Sequence, residues 1–297
     1  MVSEHKDAYS GNHHRASELP RFLIVGPPRT GTSWLHTVLS KHANLPNPTK
    51  ETRFFDLHFD KGLRWYLSHY PKPVDERPRG EIAPTYFGSA VARERIAELI
   101  PEAKLVFIFR NPVDRLISLY RLKRAYGMHD WTLEEALAHD PEMIESSQYA
   151  TNLRLWQASF PRKQLSVNLF DDLNSDPQGF IDRLTAFLGI GSFRLDQSQL
   201  GQVFSTTKMT EPRSYVATRA ATMVADWCKA RRMDRIVASV RESSLLRLFS
   251  GGGAPFPQVP EAMLHKIWMS TLTQTEELET ILDRDLSHWK RFPTLQT

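Results

Sequence analysis

Eight consecutive residues, Gly26-Pro27-Pro28-Arg29-Thr30-Gly31-Thr32-Ser33, join a short apolar run to a segment of helical periodicity. In that setting backbone N–H groups and a helix dipole converge on an anion. Glycines at 26 and 31 with a closing Ser match most of a phosphate-loop pattern. The departures narrow the chemistry. Thr32 stands where a nucleoside-triphosphatase loop carries its Lys, so the only cation in the loop is Arg29. The apolar run Leu105 to Phe109 ends in Arg110, where a triphosphate-cleaving enzyme needs an acidic residue for Mg²⁺. A cradle without the metal machinery implies a nucleotide with phosphates near both Arg29 and Arg110, bound without metal.

These residues need strands and helices to hold them. Arg21 to Gly26 has an apolar core with β-branched Ile24 and Val25, is ended by Gly-Pro-Pro, and reads as a buried parallel strand. Helical spacing follows at once, with Trp34, Leu35, Val38 and Leu39 on one face. Lys104 to Phe109 predicts a second strand, and a helix over Val113 to Tyr120 with Pro112 in its first turn. Gln164 to Phe170 predicts a third, with a helix from about Pro177 to Leu188. Strands alternating with helices imply βαβ units: an α/β fold of the P-loop type, three αβα layers with a central parallel sheet.

Composition bounds the rest. The 297 residues carry a net charge of +4, which suits an anionic small ligand better than nucleic acid. The single Cys228 excludes an intramolecular disulfide framework and suggests a reducing, cytoplasmic setting. No apolar run is long enough to span a bilayer, and the first residues lack the apolar core of a secretory signal. Residues 1–20, polar and His-rich, are expected to form a loose arm, and 21–297 one domain with a helical and loop insertion over 202–260 as a possible lid. Arg213 to Ser250 holds eight basic and three acidic residues, an excess of +5 that suits a solvated helix pair or a surface for an acidic or membrane-borne acceptor. Gly251 to Pro257 reads as a flexible loop, and Glu261 to Trp289 as a last helix.

The loop from Pro28 to Leu35 resembles that of the sulfotransferases whose donor is 3′-phosphoadenosine 5′-phosphosulfate (PAPS), which usually carry Lys at the position of Arg29. Their 3′-phosphate motif, an Arg at a strand end and a Ser on the next helix, is similar to Arg110 and Ser118. The resemblance is closest to the heparan-sulfate and bacterial branch. It runs through Glu51-Thr52-Arg53-Phe54-Phe55-Asp56, Lys61 to Tyr66, Gly80 to Tyr86, Tyr149 to Trp156 and Asp171-Asp172-Leu173. Two departures stand out. Ile82 replaces a Lys near the reacting centre of the heparan-sulfate enzymes, and Gly251 to Pro260 has no basic residue where the family has a basic loop over the 3′-phosphate, so Arg213 or a neighbour would have to replace it.

The resemblance implies a sulfuryl transferase acting in line on a hydroxyl, or secondarily an amine, of a small-molecule, saccharide or lipid acceptor, without metal. Thr30, Gly31, Thr32 and Ser33 would supply donors to the 5′-phosphate, and Arg29 would offset charge on the leaving phosphate. Trp34 would stack on adenine, a core role being the alternative. Glu51 would be the general base, tuned upward by burial beside Phe54 and Phe55, with His58 as its rival and Lys50 or Arg53 as ion-pair partners. Arg53, Asp56 and Lys61 would face the acceptor. Two other classes compete: a P-loop kinase, which would require Mg²⁺-ATP, and a catalytically silent module that binds the desulfated product PAP.

Overall fold

A computed structural model describes residues 18–71, 76–200, 209–230 and 252–293. The first strand, β1 (Phe22–Ile24), leads through the phosphate loop into helix α1 (Thr32–Leu39). Helix α2 (Gly62–Leu67), strand β2 (Gly80–Ile82) and helix α3 (Ala90–Leu99) precede β3 (Lys104–Phe109) and α4 (Pro112–Ala125). Helices α5 (Leu133–His139), α6 (Glu142–Glu145) and α7 (Tyr149–Ser159) lead to β4 (Leu165–Leu169), α8 (Phe170–Ser175) and α9 (Pro177–Leu188). After α10 (Gln197–Leu200) come β5 (Thr210–Pro212), α11 (Tyr215–Ala230), β6 (Gly252–Pro255) and the long α12 (Glu261–Leu282).

Strands β2, β1, β3 and β4 lie side by side in that order, all parallel, with Phe22 opposite Gly80 on one side and Lys104 on the other. Strand alternation sends successive side chains to opposite faces. Leu23, Leu105, Phe107 and Phe109 go one way, into a core with Tyr66, Tyr86, Phe87, Tyr149 and Trp156. Phe22, Ile24, Ile82, Val106 and Ile108 go the other, against Trp34, Leu35, Val38 and Leu39 of α1 and Phe180 and Leu184 of α9. Two apolar layers on one buried parallel sheet give the three-layer α/β architecture expected.

Local chemistry sets the helix starts. Asn111 accepts from the Val113 and Asp114 N–H groups ahead of Pro112 to begin α4, Thr132 and Glu135 form a reciprocal capping box on α5, and Asp176 precedes Pro177 at α9. The segment after α12 is tied back to α8. Arg284 grips both carboxylate oxygens of Asp172, and the Trp289 indole N–H donates to Asp171 Oδ2 at 2.8 Å. No described helix is long and apolar enough to cross a membrane.

Three sequence expectations change. Strand β2 was not foreseen, because it is three residues long and carries a charged residue, Glu81, in its centre. Gly251 to Pro257 is no free loop over its described part: Gly252–Pro255 pairs antiparallel with Thr210–Pro212, and the Arg213 Nε donates to the Gly252 carbonyl at 3.2 Å. The last helix stops at Leu282, where Asp283 turns left-handed with φ 50°, and Leu286 and Trp289 fold inward as separate buried anchors. Of the basic stretch, α11 is helical as expected, and residues 231–250 lie outside the described set, as do 1–17 of the arm and 201–208 of the insertion.

Candidate active site

The phosphate loop starts where β1 ends. Val25 donates to the Val106 carbonyl at 2.9 Å, and the next residue must be glycine, since a Cβ on Gly26 would stand 2.5 Å from the Ile108 backbone nitrogen. The Thr30 hydroxyl donates to the Pro27 carbonyl at 2.8 Å and closes the turn. Arg29 is left-handed at φ 75° and Gly31 at φ 87°, the latter backed by Leu173 and Phe170 of α8. A non-glycine residue in that region costs of order 1–3 kcal/mol and is held only where its surroundings over-determine it. Gly31 caps α1 without any side-chain bond and no acidic residue occupies the first turn, so no carboxylate of that turn offsets the positive dipole end.

Two guanidiniums meet beside this turn. Arg29 Nε donates to Ser118 Oγ at 2.9 Å, and Arg110 Nη1 reaches the Arg29 carbonyl at 3.5 Å. Arg110 comes from the end of β3 and lies over the Phe170 ring, 5.0 Å from its centroid. Ser118, fully buried, comes from α4. Burial, and then the neighbouring Arg110, push the Arg29 guanidinium down to about 10. The Tyr149 hydroxyl donates to the Arg110 carbonyl at 3.0 Å. Behind it the fully buried Arg115 donates to Ser147 Oγ at 2.5 Å and the Met143 carbonyl at 3.1 Å, a scaffold under the strand end.

A third cation closes the other side. Lys50 Nζ stands 3.4 Å from Ser33 Oγ, in the first turn of α1, and 3.3 Å from Glu51 Oε1. Burial lowers the Lys50 ammonium, Glu51 opposes that, and the Arg29 charge adds to it. The next residue is anchored from β2: the Thr52 N–H and hydroxyl both donate to Glu81 Oε1, at 2.9 and 2.7 Å. Tyr66 donates to Glu81 Oε2 at 2.8 Å, with the Tyr70 hydroxyl 2.9 Å beyond. Burial raises Glu81 to about 7 against the pull of these bonds.

The structure thus brings Arg29, Arg110 and Ser118 into one contact set and Ser33, Lys50 and Glu51 into another. Trp34 belongs to neither. Its indole is 2% exposed in the core and donates to the Gln199 carbonyl at 2.8 Å, so the adenine-stacking expectation gives way to the core one. Thr30, also fully buried, spends its hydroxyl proton inside the loop, whereas Ser33 is exposed. Glu51 is not buried beside Phe54 and Phe55: both rings face the core, and the carboxylate, 28% exposed, faces Lys50. Arg53 and Asp56 pair with each other at 2.6 Å, and Lys61 lies over the Trp65 ring at 4.7 Å. His58 packs edge-on against Trp65 with centroids 5.2 Å apart. Ile82 points into the α1 core, opposite to Glu81. Sequence reasoning gave no role to Glu81 and cast Lys50 only as a partner for Glu51. The adjacency of Lys50 to Glu51 was the available signal, and Glu81 had only its place within the Gly80 to Tyr86 resemblance.

A family model described as a sulfotransferase domain matches residues 19–235. A bifunctional heparan sulfate N-deacetylase/N-sulfotransferase 2 from Bos taurus is 33% identical over 212 residues, covering 64% of this chain and 24% of that protein. The type 1 enzyme from Mus musculus is 32% identical over 214 residues, covering 63% of this chain and 24% of its own length. The chain therefore spans about a quarter of the length of the curated relatives it matches. A sulfotransferase from Alicyclobacillus acidocaldarius shares the fold with a TM-score of 0.65 at 21% identity, over 92% of this chain and 99% of that one.

Proposed function

The chain belongs to the sulfotransferase family, and on that premise we propose that it moves a sulfuryl group from PAPS to a hydroxyl acceptor without a metal ion. One observation carries the donor assignment: Arg29 and Arg110, from different strand ends, converge with Ser118 beside the uncapped N-terminus of α1. Two guanidiniums, a hydroxyl and a helix dipole with no acidic residue in its first turn form a site for two phosphate groups. The 3′-phosphate falls to Arg110 and Ser118, and the 5′-phosphosulfate to the loop from Arg29 to Ser33.

Glu51 is the general base of this reading. It is partly exposed and one residue from an anchor, because Thr52 is held at both its N–H and its hydroxyl by Glu81. A base needs that fixed placement to meet the acceptor proton. Arg29 supplies permanent charge on the donor side, which suits electrostatic stabilisation better than proton donation. Arg53, Asp56 and Lys61 stand on the segment following Glu51 and are its acceptor-side candidates. An amine acceptor is the second reading, favoured by one finding, that the curated relatives are named N-sulfotransferases of heparan sulfate. Ile82, an apolar residue turned into the core, argues against carrying their substrate over whole.

Thermal unfolding tests the donor without knowledge of the acceptor, since a ligand that binds only the folded state raises the midpoint. The expected result is a rise with PAP that is unchanged by EDTA, and little change with Mg²⁺-ATP. A rise with Mg²⁺-ATP alone would overturn this reading in favour of a kinase.

A further inference from the structure

The three cations of the site do not stand alike. Arg29 is held through its Nε by Ser118 Oγ, and Arg110 lies against the Arg29 carbonyl and the Phe170 ring. Lys50 occupies the other end, where its ammonium is shared between Ser33 Oγ at 3.4 Å and Glu51 Oε1 at 3.3 Å. Ser33 belongs to the first turn of α1, whose N-terminus has no side-chain cap, and Glu51 is the proposed base. The Lys50 ammonium therefore lies between the group that holds the donor's 5′ end and the group that takes the acceptor's proton. An ammonium has three steerable N–H donors on a flexible stem and can turn from one oxygen to the next, whereas the planar Arg29 guanidinium is oriented by its Nε bond to Ser118.

Resting on the donor and base assignments above, we propose that Lys50 is a catalytic residue whose ammonium hydrogen-bonds the phosphate oxygen that departs from sulfur. The acceptor oxygen uses a lone pair to form the new S–O bond. The S–O bond to the 5′-phosphate breaks, and its electron pair stays on the phosphate oxygen. The acceptor proton goes to Glu51. Lys50 keeps its proton and meets the charge growing on the leaving oxygen, an interaction strongest in the transition state and in the product. In moving to that oxygen it also leaves Glu51, freeing the carboxylate to accept the proton.

Two measurements test this without knowing the acceptor. Turnover is read as release of labelled sulfate from PAPS with water as acceptor. K50M slows it on the order of 10²-fold at saturating donor, while K50R, which keeps a charge there, recovers part of the rate. Binding is read by calorimetry in the E51Q background, where PAPS stays intact. Adding K50M weakens PAP about tenfold, because PAP carries the charge left on the phosphate, and leaves PAPS within about threefold. Equal loss of PAP and PAPS overturns the proposal, as does K50M turnover within about threefold of the parent. If the E51Q chain binds neither nucleotide, the donor assignment falls and this proposal with it. Nucleotide binding with unimpaired K50M turnover would sink the Lys50 role alone.

Discussion

Replacing Glu81 by Gln should make the protein more stable at alkaline pH and leave it nearly unchanged at pH 5. Glu81 is fully buried between Thr52, Tyr66 and Tyr86, and burial holds it near 7 against an ordinary value of 4.5. A carboxyl with a raised folded-state value binds its proton more tightly folded than unfolded. The stability it contributes is complete below the unfolded value and is lost as pH rises through the folded one. A shift of roughly 2.5 units corresponds to about 3 kcal/mol, of which about 2.5 kcal/mol is lost between pH 5 and pH 8. Gln reproduces the protonated form. Its oxygen keeps both Thr52 bonds, and its amide donates to the Tyr66 hydroxyl, which then donates to Tyr70 across their 2.9 Å contact. Urea unfolding at 25 °C of the parent and E81Q, at pH 5 and pH 8, reads the difference directly. The parent should lose about 2 to 3 kcal/mol relative to the variant over that interval. A difference that stays flat with pH would mean that Glu81 is ionised throughout, and the burial argument would fail.

Three other substitutions test the site. Arg110→Ala should weaken PAP on the order of 10²-fold, and Ser118→Ala by about tenfold or less, as expected for a charged and a neutral hydrogen-bonding partner; calorimetry without divalent metal measures both. Glu51→Gln should abolish turnover of labelled PAPS while leaving PAP affinity within about threefold, and substantial residual turnover would transfer the base role elsewhere. Trp34→Phe should lower unfolding stability by about 1 to 2 kcal/mol through the lost bond to Gln199 and lost packing, with unchanged PAP affinity. A large loss of PAP binding in that variant would restore the adenine-stacking role.

The parts of this fold that show in the sequence are those with strong local signals. Strands β1 and β3 are apolar runs apart from Lys104, β4 alternates apolar and polar residues, and α4 and α9 begin at Pro112 and Pro177 in the expected places. The phosphate loop and Arg110 were legible because glycine spacing and a strand-end cation are local features. Strand β2 was not, since three residues centred on a glutamate carry no periodicity, and only pairing with β1 makes them a strand. The β5–β6 pair joins segments far apart in the chain, one of them Gly252-Gly253-Ala254-Pro255, a composition that on its own favours a loop. Trp34 is instructive in another way. Helical spacing already put it on one face with Leu35, Val38 and Leu39, and that local rule outweighed the family analogy. The placement of Glu51 depended on Lys50 and on Glu81, the latter reached only through tertiary structure.

The tie between Arg284, Trp289 and the Asp171-Asp172 pair has a consequence in the order of synthesis. A ribosome delivers the phosphate loop well before α8 and Arg284. The wall behind Gly31 is made by Phe170 and Leu173, and α8, which carries them, is clamped by residues far downstream of it. A nascent chain halted before Arg284 would hold a complete set of phosphate-contacting residues on an unbraced wall. On the proposed reading, firm nucleotide capture would wait for the segment around Arg284 and Trp289, and would report that this segment has docked.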